Sequence, residues 1–151
     1  MDAEPTRASK AGDGPARPTS YSQSGGLVAL LARLGVSIAF TSYQSGIFYL
    51  LGRDANGAHL HECGIAKPMG LARHGECGLL LSAGHEIIAF ENALAPHERV
   101  NDQFDACFVP RTVHVTGALD AHDVAMGEDG RPVFVNTRFN CLAVPDSRHS
   151  F

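Results

Sequence analysis

From Val36 onward, apolar and polar residues alternate with a period of two along most of the chain, the spacing of half-buried strands. Ser37–Ser42 and Gly46–Leu51 flank a turn at Tyr43–Ser45, and Asp54–Gly57 makes a second turn into Ala58–Cys63. This predicts a three-stranded meander. Pro68–Ala72 then leads into Gly78–Ala83, a turn at Gly84 and His85, and Glu86–Phe90, with Ala106–Val109 and Thr112–Thr116 as outer strands of the same unit. Glu91–Asp105 is mostly polar and reads as a surface loop. Thr116–Val144 repeats the pattern of strand, Gly-containing turn, strand and strand. Ahead of all this, Leu27, Leu30, Leu31 and Leu34 share one face of a short helix, with Gly35 placed to cap it.

The units resemble one another at fixed shifts. Gly70–Ala72 matches Asp123–Ala125 and Leu80 matches Val133 at 53 residues, while Ile88 and Ala89 match Leu142 and Ala143 at 54. The first unit joins at about 40, Thr41 matching Ser82 and Ile47 matching Ile87. Three- or four-stranded units at such a period are what propeller blades show, so the expected class is all-β, a partial β-propeller of two to three antiparallel blades behind a short helix. A meander sandwich with similar strands is the competing architecture. Blades close a ring at roughly four to eight copies. The expectation is therefore a domain over residues 27–151, truncated at its C-terminus, with open sheet edges through which copies can self-associate.

At 151 residues with 44% apolar and 19% charged content, the chain suits one soluble domain. Residues 1–26 interleave Pro, Gly, Ser and Thr with charges and hold almost no large apolar group, so a disordered tail is expected there. A net charge of -4 supplies no basic face for nucleic acid. Neither a secretory leader nor a membrane span is legible, which points to the cytoplasm. Cys63, Cys77, Cys107 and Cys141 are scattered and form no metal or redox motif.

In a propeller, residues just before the innermost strand of each blade line the mouth of the central channel. Asp120, His122 and Asp123 take that place in the last unit, and Met69 and Gly70 in the one before. With Asn136 they offer oxygen and imidazole ligands for a divalent cation such as calcium, or a general base. The simpler reading is a carboxylate orienting His122 or Asp123 tying down a turn. Asn136, Thr137 and Arg138 sit at a strand end, where small polar groups clasp neighbouring backbone. Arg138 and Arg111 are the side chains suited to gripping a carboxylate or phosphate of a ligand. His59 and His61 share a strand face without a third ligand. No nucleophile elbow, P-loop or dinucleotide fingerprint is present.

Thr41–Gly46, Lys67–Ala72, Val109–Arg111, Thr116–Ala125 and Phe134–Ala143 resemble, in order and spacing, the motifs of an uncharacterised bacterial family with a domain of unknown function. The resemblance covers residues 27–151. It implies a propeller-like fold and members more than twice this length, continuing with a Trp/Pro-rich stretch and a Cys-His-Leu-Asn-Gly motif that this chain lacks. Ala118 stands where the family pattern leads one to expect an acidic residue. More distantly, the chain is similar to six-bladed propellers of the NHL and gluconolactonase kind, which implies a channel-mouth metal held by Asp, Asn and Glu. The leading functional expectation is a binding propeller for a small ligand or protein partner. The alternatives are a metal-dependent hydrolase or lactonase, and an inactive fragment of a longer protein.

Overall fold

A computed structural model describes residues 20–149 and Phe151. Most of the expected tail lies outside the described residues. Within its last part, Tyr21 rests edge-on against Tyr49, with ring centroids 6.0 Å apart.

Helix α1 covers Leu27–Leu34 and ends where Gly35 adopts a left-handed conformation, its N–H donating back to the Ala32 carbonyl. Its one buried residue, Leu31, belongs to a helix that lies over the second and third strands. The strands fall into three antiparallel sheets, each running in chain order. The first holds β1 (Ile38–Ser42), β2 (Ile47–Asp54) and β3 (Gly57–Gly64). The middle sheet holds β4 (Leu71–His74), β5 (Gly78–Ser82), β6 (Glu86–Asn92) and β7 (Phe108–Val115). The last holds β8 (Ala121–Met126), β9 (Pro132–Asn136) and β10 (Cys141–Ala143). The meanders therefore follow the period-two pattern. The outer segments expected as two strands form one, because the β6–β7 ladder absorbs Pro110 by slipping register between Ala89 and Phe90.

Alternation along the middle sheet explains its burial, since both of its faces are apolar. Leu79, Leu81, Ile88 and Phe90 pack towards Ala39, Phe48 and Leu50 of the first sheet. Leu80, Ile87 and Ala89 pack the opposite way, against Leu119, Ala121, Val124, Phe134 and Ala143 of the last sheet and the turn before it. Full burial of a side chain such as Leu80 or Ile87 contributes roughly 1.5–3 kcal/mol. The middle sheet is thus the filling of a three-layer stack.

The seam between the middle and last sheets is closest where β4 begins. A Cβ placed on Gly70 would stand 2.5 Å from the Cα of Asp123, so only glycine lets the two backbones meet there. The same glycine is held from its own sheet: its N–H donates to the Ser82 hydroxyl at 2.8 Å, and its carbonyl accepts from the Ser82 N–H at 2.9 Å.

The polar stretch between β6 and β7 carries a small closure, Val100 bridging to Phe104, and lays the Phe104 ring against His59 at 4.7 Å. Among the described residues, no helix is long and apolar enough to cross a membrane.

Candidate functional site

The loop from Thr116 to Asp120 carries the chain from β7 into β8, and its shape follows from a few backbone constraints. Gly117 and Asp120 both have positive φ, 75° and 49°. The N–H groups of Thr116 and Gly117 both donate to the His85 carbonyl, at 2.8 and 3.2 Å, which hangs the loop on the β5–β6 turn. From the other side, the Arg138 N–H reaches the Leu119 carbonyl at 3.4 Å. The loop is tied at both ends before any side chain is considered.

Asp120 then meets Arg138, whose Nε stands 3.5 Å from Oδ2 in a contact exposed to solvent. An exposed pair at this distance is worth at most about 1 kcal/mol. The guanidinium is therefore free to exchange partners.

Asn136, at the end of β9, pairs with Ala121 and is fully buried. Its Oδ1 accepts from the Phe139 N–H at 3.3 Å and caps the 3-10 turn over Thr137–Phe139, the clasp expected of small polar groups at that strand end. Its Nδ2 finds no hydrogen-bond partner among the described residues. A buried amide left without an acceptor costs about 1–3 kcal/mol. Asn136 also lines a shallow open hollow of about 360 Å³ with Thr137, Asn140, Cys141 and Leu142.

The remaining sequence candidates separate. Asp123 turns its Oδ1 back to the Val124 N–H at 2.9 Å, which agrees with the simpler role of tying down backbone. His122 is exposed in the irregular part of the β8–β9 ladder, between the Ala121 and Val124 pairings. Among the described residues, no three His, Cys, Asp or Glu side chains gather as ligands for a metal ion, so Asp120, His122 and Asp123 do not form one cluster. Arg111 lies on β7, at the far edge of the middle sheet from β4, and takes no part in the Asp120–Arg138 corner. His59 contacts Asp54 at 3.7 Å on the first sheet and is likewise remote in the fold.

With this geometry in hand, comparison with known families gives a match over residues 25–151 to a domain of unknown function, DUF4915. The chain belongs to that family. No curated protein and no solved structure matches it. The DUF4915 match spans α1 and all three sheets, so the stack and the Asp120–Arg138 corner lie wholly inside the family domain.

The DUF4915 domain also has a cleft that sequence reasoning missed. About 460 Å³ opens between the first and middle sheets, with Ala39, Leu71 and Phe108 as its apolar wall and Ser37, Arg73 and Cys77 among its polar lining. Arg73 is held there by an Nη2 contact to the Glu76 carbonyl at 2.9 Å. The residues come from strands of two sheets and from the turn and chain beside them, and no local motif joins them. Only the packing of β1 beside β4 makes the cleft.

Proposed function

We propose that residues 27–151 form consecutive blades of a β-propeller and act as a binding module for a small anionic ligand, a carboxylate or phosphate, at the corner built by Asp120, Asn136 and Arg138. Three antiparallel meanders in chain order, stacked face to face, support the propeller reading. So does the direct backbone approach of β4 and β8 at Gly70 and Asp123, as neighbouring innermost strands require.

One observation carries the binding reading: an exposed guanidinium held by a single long contact stands beside a strand end whose buried amide lacks an acceptor. An oxyanion at Arg138 competes with Asp120 for the guanidinium and can present two oxygens to it, whereas Asp120 engages Nε alone. The ligand exchanges a weak ion pair for a bidentate one. Asp120 then sets specificity, because its negative charge opposes anions too small to displace it.

The test is a thermal-shift and calorimetric screen of the full chain against small mono- and dicarboxylates and inorganic phosphate. At least one should raise the melting temperature in a concentration-dependent way. Arg138→Ala should weaken that ligand about ten-fold or more while leaving the unliganded melting temperature unchanged. A chain that binds none of the panel at millimolar concentration, or an Arg138→Ala protein that binds as well as the parent, sinks the reading.

A further inference from the structure

The strand registers allow each sheet to be laid on the next. Leu71 opposes Leu81 in the middle sheet as Val124 opposes Phe134 in the last, both pairs displaced by 53 residues. The return strand follows at 55, Leu81 opposing Ile88 as Phe134 opposes Ala143, one residue more than the 54 expected from the sequence, so Ile87 and not Ile88 is the counterpart of Leu142. By the same register, Leu80, Ser82 and Ile87 correspond to Val133, Val135 and Leu142. The first three are all 0% exposed beneath the last sheet. Of their counterparts, Leu142 is 72% exposed and Val135 37%.

The other end of the stack gives the mirror statement. Ile38 pairs with Leu51 and Phe40 with Tyr49 as Leu79 pairs with Phe90 and Leu81 with Ile88, so β1 and β2 correspond to β5 and β6. The four residues on β5 and β6 cover the first sheet from the middle sheet. Their counterparts on the first sheet face away from the stack. Helix α1 lies over β2 and β3, and Tyr21 over Tyr49, which leaves Ile38 and Phe40 on β1 exposed at 42% and 40%. Each end of the stack thus presents part of the face that covers the other, the β1 strip at one end and β9 with β10 at the other.

From this we infer that the chain associates with a second copy of itself head to tail, the Val135–Leu142 face of one copy covering the Ile38–Phe40 face of its partner and the reverse. The contact continues the two seams already inside the molecule. Ile38 and Phe40 on one side and Val135 and Leu142 on the other bring apolar surface to it, while Arg53 and Glu62 of the same first-sheet face lie beyond them on β2 and β3. A two-fold axis makes both contacts at once and closes the assembly with three sheets from each copy, whereas a head-to-tail contact that did not close would run on into a fibre. The inference rests on the stacked-sheet reading proposed above, but not on the ligand.

Sedimentation of the full chain from about 1 to about 100 µM should show a reversible monomer–dimer equilibrium. Leu142→Glu and Ile38→Glu, at opposite ends of the stack, should each weaken the dimer about ten-fold or more. Mixed together, the two variants should associate better than either alone, because the mixture retains one intact contact. Circular dichroism melts matching the parent show that the variants fold, and both positions are exposed enough for that to be expected. A chain that stays monomeric throughout overturns the inference. So does a dimer sensitive to Leu142→Glu but indifferent to Ile38→Glu, since like faces would then be meeting. A monomer that still binds an anion through Arg138 overturns this inference and leaves the binding site standing.

Discussion

Ile87 in the middle sheet and Leu142 in the last occupy corresponding ladder positions, and both are large aliphatic residues on apolar faces. Ile87 is fully buried and Leu142 is 72% exposed. Nothing local distinguishes them. The middle sheet has a neighbour on each side and the last sheet has a neighbour on one, so identical patterning yields a core position in one place and an open face in the other. An apolar period-two pattern thus states what a face is suited to meet, and the neighbouring layer decides whether it meets it.

The comparison breaks most severely at the seam that gives the middle sheet its second neighbour. Gly70→Ala forces a methyl group into the Asp123 backbone, where no flexible side chain can yield, and should destabilise the chain by about 3 kcal/mol or more. Chemical denaturation would register it as a lower midpoint. An unchanged midpoint would mean that β4 and β8 do not approach as described.

The paired truncations come next. Ile87→Ala should cost about 2–5 kcal/mol through lost burial and a residual cavity. Leu142→Ala, measured at low protein concentration where no partner covers it, should stay within about 0.5 kcal/mol of the parent. Equal costs would show that the two faces are not in different environments.

The smallest expected effect concerns the turns of the last sheet. The backbone N–H of Arg131, followed by its side chain, holds the Asp129 carboxyl below its ordinary pKa, and the N–H of Arg148 does the same for Asp146. A carboxyl whose pKa is lowered on folding contributes stability that is present above the unfolded value of about 3.9 and lost as pH falls through the folded value. Acidification below about pH 4 should therefore loosen the β8–β9 turn and the segment after β10 before it disturbs the middle sheet. The Arg131 and Arg148 amide resonances, followed by NMR, should titrate with midpoints below those of an unstructured Asp peptide. Midpoints at the unstructured value would remove these hydrogen bonds from the account.

Much of the fold is legible in the chain itself. The turns at Tyr43–Ser45, Asp54–Gly57 and Gly84–His85, the helix ended by Gly35 and the strand alternation all appear because each is decided by backbone preferences within a few residues. The polar corner was legible in part. Asp120 and Asn136 were singled out by position, and Arg138 and Arg111 alike for their guanidinium chemistry; Asp120, Asn136 and Arg138 come together at one strand end, whereas Arg111 lies across the sheet. Metal-ligand spacing suggested by Asp120, His122 and Asp123 fails to produce a cluster, because Asp123 bonds its neighbouring backbone and Asp120 faces Arg138.

Contacts close along the chain set the three meanders, their alternating faces and the turns between them, so these could be read from residue order alone. Which faces are covered, where Gly70 must admit another backbone, and how a cleft opens between β1 and β4 were decided only by tertiary packing. The reason is that burial and close approach belong to pairs of surfaces, and the partner of each surface is brought to it from a distant part of the chain.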